Sequence, residues 1–185
     1  MLILILLQDI DLVVTAGRSE DFDPENIKEI IVNADNRYFL EPSKRPNANH
    51  QVLYCRLPGW SIESRCVKVD ILVPPTLLGI PRIFSSNAFL IDDIPVMPLF
   101  DLLVMKIQGW RDHNTSRRPD FRAKVGADVV DVRALLNRAI PERVWYPREK
   151  GHHPREFMDR ARGLAFGFIQ RHGGREKFQT LGFPV

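Results

Sequence analysis

The chain has 185 residues, a length typical of one domain or of one domain with a small helical extension. Its composition, 44% hydrophobic and 26% charged, is ordinary for a globular protein that can bury a core, and its net charge of +3 is too small to require a nucleic-acid partner. Residues 141–185 are more basic than the rest, with nine Lys or Arg against five Asp or Glu. This tail is compatible either with a polyanionic partner or with a solvated basic helix.

The apolar start, MLILILL, indicates a buried strand rather than a membrane or export segment. It is shorter than the about 20 residues that a membrane span needs, and Gln8 and Asp9 follow it where a signal peptide has small residues. The two cysteines have no metal-type spacing and form no disulfide framework, which fits a reducing compartment. We therefore expect a cytoplasmic protein with no membrane contact and no disulfide-linked partner.

The first predicted elements are a strand and a helix. Residues 2–14 are rich in Ile, Leu and Val, which predicts a strand that is buried on at least one face. Asp23 is a good N-cap, and Pro24 suits the first helical position. Apolar residues then recur at helical spacing, so the pattern predicts an amphipathic helix over residues 24–36.

The middle of the chain is predicted to contain a loop and two strands. The segment EPSKRPNANH is rich in turn residues, and QVLYCRL and CVKVDILVPP follow it as two strands joined by a hairpin-sized connection. Pro74 and Pro75 end the second strand, because proline cannot donate a hydrogen bond to a sheet. Residues 76–97 show no clear period and are predicted to be irregular.

The last part of the chain is predicted to be helical. Helical spacing marks three segments, residues 98–113, 124–139 and 154–172. Strands with one helix, followed by helices only, are typical of an α+β fold. We expect residues 1–97 to form an α/β core and residues 98–185 to form a helical region packed on that core.

Two carboxylates stand one residue apart in the predicted first strand, in QDIDLVV. Side chains alternate along a strand, so Asp9 and Asp11 point to the same face, about 6–7 Å apart. Asp70 lies in the strand VKVDILV, and three carboxylates converge on one face if that strand neighbours the first. Oxygen ligands in such a cluster suit Mg²⁺ or Mn²⁺, and two bridged metals can hold both oxygens of a phosphoryl displacement. The alternative is that the three carboxylates lie on a solvated face or at strand ends.

These stretches, together with IPVMPLFDLLVMKIQGWRDH and KVGADVVDVRALL in the helical part, resemble the nucleotidyltransferase superfamily of the DNA polymerase β type, in its minimal and toxin-like members. The resemblance covers roughly residues 8–138. It implies a mixed sheet that carries the acidic residues and is followed by helices. It also implies Mg²⁺- or Mn²⁺-dependent transfer of a nucleoside monophosphate from a nucleoside triphosphate to a hydroxyl of RNA, a protein or a small molecule.

The resemblance assigns roles to four residues. Asp9 and Asp11 match the acidic pair and Asp70 matches the third acid, so these three are the expected catalytic and metal-binding residues. Lys106 matches the lysine of the helical region and is the expected phosphate-binding cation. Its spacing independently places it on the apolar stripe of its helix, where a charge is costly unless it is paired. The alternative is a lysine that extends from the edge of the core into water.

Asp128 and Asp131 match an acidic pair in the second of the three helices. They lie three residues apart and share a helix face. We interpret them as structural residues that pair with Lys106, Arg111 or Lys124 beside the site, rather than as metal ligands.

One element of the resemblance is missing from the sequence. A Gly-Gly or Gly-Ser turn that binds phosphates is expected about ten residues before the acidic pair, but the LILILLQ that precedes Asp9 contains neither residue. Three interpretations follow: the chain is a fragment or has a mispredicted start, it keeps the fold without the chemistry, or TAGRSED grips the phosphates through Arg18 and Ser19. The first two define the alternative function, an inactive or truncated member that acts as a nucleotide-binding or protein-interaction module.

Overall fold

A computed structural model of the chain describes residues 9–14, 23–45, 47–57, 66–73, 88–149 and 153–185. The strands are β1 (Asp9–Val13), β2 (Tyr38–Pro42), β3 (Gln51–Arg56), β4 (Cys66–Leu72), β5 (Phe89–Ile91) and β6 (Ile94–Val96). The helices are α1 (Pro24–Ala34), α2 (Leu99–Thr115), α3 (Pro119–Arg122), α4 (Val125–Ala139), α5 (Tyr146–Glu149), α6 (Arg155–His172) and α7 (Arg175–Thr180).

The chain divides into two compact units. We call Met1–Ser85 the sheet unit and Ser86–Val185 the helical unit. The helical unit therefore includes the β5–β6 hairpin as well as α2 to α7. The functional division expected between residues 97 and 98 stays a prediction.

The sheet unit contains a four-stranded sheet in the order β1-β4-β3-β2. β1 runs parallel to β4, whereas β4 pairs antiparallel with β3 and β3 pairs antiparallel with β2. The sheet is therefore mixed, and the second half of the chain is mainly helical. This architecture confirms the expected α+β fold. The predicted first strand is confirmed over Asp9–Val13, and residues 1–8 lie outside the described residues.

One face of the sheet is covered by α1. Leu53, Cys55 and Val69 form the buried centre of this face, and Ile31 and Val32 of α1 pack against them. The alternation of strand side chains places these apolar residues on one face, so the polar residues between them project from the other. The described part of the sheet thus has one apolar face, packed against α1, and one face with polar side chains.

The N-terminus of α1 has the predicted cap. The Asp23 carboxylate accepts a hydrogen bond from the Glu25 backbone N–H at 3.1 Å, and Pro24 is the first helical residue. The helix ends at Ala34, two residues before the predicted end, because Asp35 adopts an extended backbone with φ −148°.

The core of the helical unit is built mainly from α2, α4 and α6. Its fully buried side chains include Leu103 and Ile107 of α2, Leu136 of α4 and Phe168 of α6. The three predicted helices are confirmed, each within two residues of its predicted bounds. Across the described part of the chain, the helices are too short or too polar to cross a membrane.

The sequence does not predict β2, β5 or β6. β2 begins before the segment that was expected to be a loop and extends into it, and its Phe39 ring stacks on Tyr54 of β3 at 5.7 Å between ring centroids. The expectation of irregular structure is wrong for residues 89–96, which form the β5–β6 hairpin. The two residues of its turn, Asp92 and Asp93, have φ values of +49° and +63°, which suits a two-residue hairpin turn.

Candidate functional site

The acidic residues of β1 and β4 come together as the sequence predicts. In the parallel pairing of these strands, Asp11 is the partner of Asp70, and Asp9 is the partner of Lys68. Residues paired in register share a face, and neighbouring strands lie about 4.8 Å apart. Asp9, Asp11 and Asp70 therefore lie on one face of the sheet, opposite the face that packs against α1.

These carboxylates are accessible to water. Asp9 and Asp11 are exposed, and the side chain of Asp70 retains 40% of its accessible surface. An exposed carboxylate stays hydrated, so holding three of them on one face carries a much smaller cost than burial would. Each of the three carboxylates is therefore in contact with solvent.

Lys68 is a member of the site that sequence reasoning missed. Its ammonium forms an ion pair with the Asp70 carboxylate, two residues further along β4. The lysine is also the register partner of Asp9, so it lies between two of the three acids. The period of two along VKVDIL is the signal that reveals it, because Lys68 and Asp70 must share a face.

We call the sheet face that carries Asp9, Asp11 and Asp70 the acidic face. Its side chains are of the right kind to bind a divalent cation, but they are not arranged as a complete binding site. Carboxylate oxygens are the ligands that Mg²⁺ and Mn²⁺ prefer. Among the described residues, however, no group of three His, Cys, Asp or Glu side chains is close enough to hold a metal ion. Lys68 holds the Asp70 carboxylate, so metal binding by all three acids requires this ion pair to open.

The helical unit decides between the two expectations for Lys106. Its side chain is 40% exposed, which fits the alternative of a lysine that extends from the edge of the core into water rather than a lysine on the buried stripe of α2. Leu103, Ile107 and Trp110 form that stripe, and Lys106 lies beside it on the solvated flank. Its ammonium pairs with the Asp131 carboxylate of α4 at 3.0 Å, which confirms the predicted pairing.

Asp128 has a partner that the sequence did not suggest. Nδ1 of His113 lies 2.6 Å from the Asp128 carboxylate, and the two side chains are only 22% and 14% exposed. The His113 ring also packs against Phe121, with 5.3 Å between ring centroids. The structural role expected for Asp128 and Asp131 thus fits these pairs, which join α2 to α4.

A small cavity with both polar and apolar lining residues lies beside Asp70 in the sheet unit. Its volume is about 120 Å³, and its polar lining includes side chains from α1, β4 and the β2–β3 loop. The side chains that matter for its chemistry are Lys28, Ser43, Arg45, His50, Lys68 and Asp70.

The base of this cavity is held by Lys28 of α1, which is only 8% exposed. Its ammonium donates hydrogen bonds to the Glu25 carboxylate and to the Gln51 carbonyl oxygen, both at 2.6 Å. The hydrogen bond from Lys28 is the main reason that the pKa of Glu25 lies below its usual value of 4.5, and the nearby charge of His50 adds to the effect.

A larger cavity of about 440 Å³ lies in the helical unit. Ile140, Val144, Trp145 and Leu181 give it a mainly apolar lining, and Arg143 is the one ionisable residue among its lining residues. Its described lining residues include no carboxylate, histidine or cysteine that could act as an acid, a base or a metal ligand. Arg18 and Ser19, the other expected phosphate-binding residues, lie outside the described residues.

No protein-family model matches this chain, and no curated protein matches it. A solved structure that resembles it is an antigenic nucleotidyltransferase-like protein from Paracoccidioides brasiliensis. The likeness has a TM-score of 0.59 at 15% sequence identity, and it covers 96% of this chain and 76% of the other. Likeness at this level of identity concerns the fold, and it agrees with the mixed sheet and helical second half described above. The chain therefore has a nucleotidyltransferase-like fold.

Proposed function

We propose that this chain is a nucleotidyltransferase that uses Mg²⁺ or Mn²⁺ to transfer a nucleoside monophosphate from a nucleoside triphosphate to a hydroxyl. The observation that carries the proposal is the placement of Asp11 beside Asp70, with Asp9 on the same exposed face of a nucleotidyltransferase-like fold. We assign the reaction to the cytoplasm. The acceptor is RNA, a protein or a small molecule, and the basic C-terminal segment favours a polyanion.

In this proposal the acidic face positions the reacting groups. Asp9 and Asp11 would hold the metal ions, which when bound offset the charge of the triphosphate. Asp70 would complete the binding of one metal ion and help to activate the acceptor hydroxyl, taking its proton as the oxygen attacks the α-phosphorus. The bond between the α-phosphorus and the bridging oxygen then breaks, and pyrophosphate leaves. The resemblance assigns binding of the departing phosphates to Lys106, a point cation that pairs with Asp131 within the helical unit.

A second candidate function is supported by the Lys68–Asp70 ion pair. A lysine that neutralises the third acid from within the chain takes the place that a metal charge would otherwise fill. On this reading the chain is a non-catalytic member that binds nucleotides or a protein partner with the same fold. The two functions differ in whether Asp70 exchanges Lys68 for a metal.

A binding titration tests the first function directly. Calorimetric titration of a non-hydrolysable nucleoside triphosphate in the presence of Mg²⁺ should show clearly tighter binding by the parent chain than by Asp9→Asn/Asp11→Asn, because the variant lacks two of the expected metal ligands. Glu29→Gln, an exposed carboxylate on the outer side of α1, is the matched control and should bind as the parent does. Equal binding by the parent and the double variant contradicts the proposal.

Turnover then separates the two candidates. The parent chain, supplied with an α-labelled nucleoside triphosphate and acceptor pools of RNA, protein or small hydroxyl compounds, should label one pool. Asp70→Asn should abolish that labelling if Asp70 takes the acceptor proton. Nucleotide binding that persists in the parent without any labelling favours the non-catalytic member.

A further inference from the structure

We infer that the cavity beside Asp70 is a phosphate-binding pocket that receives the phosphates of a nucleoside triphosphate. This inference deepens the function proposed above and rests on it for the identity of the ligand. The pocket itself is described by its residues: Lys28 at its base, Arg45 and His50 at its rim, and Lys68 and Asp70 on the side of the acidic face.

The rim is held by the loop that joins β2 to β3. The Ser43 backbone N–H donates to the His50 carbonyl oxygen at 3.2 Å, which closes the loop at its base. Within it, the Arg45 N–H donates to the Ser43 hydroxyl at 3.3 Å and the Ala48 N–H to the Arg45 carbonyl at 3.2 Å. Asn47 takes a left-handed backbone with φ +61°, which asparagine tolerates better than most residues. These bonds fix the backbone from which Arg45 and His50 extend.

The base of the pocket offers a pre-oriented donor. The Lys28 ammonium has three hydrogens, and two of them are donated to Glu25 and Gln51. Among the described residues no acceptor takes the third. A buried lysine that is already oriented by two hydrogen bonds loses little conformational freedom when it binds a phosphate oxygen.

The rim carries two side chains that can bind an anion, of which His50 also interacts electrostatically with Glu25. The side chains of Arg45 and His50 are exposed and form no ion pair or hydrogen bond with the described residues. The arginine fork matches two phosphate oxygens at once, and an imidazole N–H donates to a third. Lys28, Arg45 and Lys68 outweigh Asp70 within the lining, although Glu25 offsets part of the charge of Lys28. The pocket therefore attracts an anion.

The volume and position of the pocket suit the triphosphate in particular. A bound water needs about 10–15 Å³ by a comparable measure, so about 120 Å³ leaves room for a phosphoryl group with its waters. Lys68 and Asp70 belong both to this pocket and to the acidic face, where Asp70 adjoins Asp11. Phosphates bound at the Lys68 and Asp70 side of the pocket would thus lie beside the acids expected to act on the α-phosphorus. Such a pocket provides phosphate binding without Arg18 and Ser19.

The test uses inorganic tripolyphosphate as the probe, titrated calorimetrically into the full chain with EDTA present to remove divalent metals. The double variant Arg45→Gln/His50→Asn removes only exposed side chains of the rim, so the fold should persist. We expect it to bind tripolyphosphate about tenfold more weakly than the parent, because two charge-assisted contacts are lost. Lys44→Gln is the matched control, since it removes an exposed cation of the same loop that does not line the pocket.

Two results would overturn the inference. One is unchanged affinity in the double variant, and the other is an equal loss in Lys44→Gln, which would mean that diffuse charge attracts the probe. A competition arm distinguishes the source of the phosphate: a short oligonucleotide without terminal phosphates should displace the probe poorly. If it displaces the probe as well as a nucleoside triphosphate does, the pocket binds a phosphodiester backbone and the inference fails.

The same titration separates this pocket from the function on which it rests. Asp9→Asn/Asp11→Asn should bind tripolyphosphate at least as well as the parent, because it keeps the cations and removes two negative charges. If that variant and the parent bind the probe equally and Mg²⁺ does not strengthen nucleotide binding by the parent, the phosphate pocket stands and the metal-dependent function falls. If both bind nucleotide with Mg²⁺ but neither binds the probe, the pocket falls and the function is not affected.

Discussion

At the scale of single residues, His172 shows how packing sets a protonation state. Its ring lies at the end of α6 against Trp110 and Phe168, with ring centroids 5.2 and 5.0 Å away. Its Nε2 atom is buried and has no hydrogen-bond partner among the described residues. Burial is the main cause that lowers the pKa of His172 below 6.5, and the charges of Arg133 and Arg171 add to it. The folded protein therefore favours the neutral imidazole.

This histidine makes stability depend on pH. The unfolded chain binds a proton at His172 more readily than the folded chain does, so the folded state loses stability as the pH falls through 6.5 toward the lower folded pKa. We expect the melting temperature of the parent to fall between about pH 7.5 and about pH 5.5, and His172→Gln to show a smaller fall. Circular dichroism melts at both pH values measure this difference. A variant with the same pH slope as the parent would show that His172 does not contribute.

The sequence predicted the acids of the site better than it predicted the cations. Side chains alternate along a strand, so Asp9 and Asp11 share one face of β1. Because β4 pairs with β1 in register, Asp70 lies on that same face beside Asp11. The position of Lys106 depends on how α2 is rotated in its core, and a shift of part of a turn moves a residue from buried to exposed. Arg45 comes near Asp70 only through the pairing of β2 with β3, which the sequence did not indicate.

At the scale of elements, long periodic segments were predictable and short paired ones were not. α2, α4 and α6 each repeat an apolar stripe over fifteen or more residues, so their existence is specified locally. β2, β5 and β6 have five residues or fewer and are stabilised by cross-strand partners rather than by their own pattern. The two aspartates of the β5–β6 turn were a readable sign of a hairpin, since Asp tolerates a positive φ.

The cap of α1 makes a prediction at this scale. The Asp23 carboxylate satisfies a backbone N–H in the first turn of the helix, and its charge lies at the positive end of the helix. We expect Asp23→Ala to lower the free energy of unfolding by about 1 kcal/mol, as measured by urea denaturation. Asn33→Ala, at an exposed position near the other end of α1, is the control and should change it much less.

Lys28 lies about one turn after this cap, so Asp23→Ala also tests the phosphate pocket that Lys28 lines. If fraying of the first turn reaches Lys28, tripolyphosphate binding by Asp23→Ala should weaken along with stability. An unchanged free energy of unfolding would mean that another group satisfies the Glu25 N–H.

At the scale of the whole molecule, the helical unit has a core of its own. Among the described residues, nineteen buried apolar residues of this unit form one cluster, and three more form the described cluster between the sheet and α1. Burial of apolar side chains is the main favourable contribution to folding, so the helical unit has the means to fold without the sheet unit.

We therefore expect residues 86–185, produced alone, to unfold cooperatively with helical circular dichroism. Leu103→Ala in this fragment should lower the free energy of unfolding by about 2–5 kcal/mol, because Leu103 is fully buried. Val130→Ala, at a position that is 65% exposed, is the matched control. A broad, non-cooperative melt of the fragment would show that its core depends on the rest of the chain.

The place of β1 at the end of the strand order has a consequence for self-association. No described strand pairs with the other side of β1, and an unpaired strand edge can recruit a second molecule and start aggregation. Asp9 and Asp11 put two negative charges on this five-residue edge, and like charges on identical molecules oppose such pairing. Replacing both by Asn would remove that protection, as would a metal that neutralised them. We therefore expect the two aspartates to oppose self-association through β1, an effect that does not depend on catalysis.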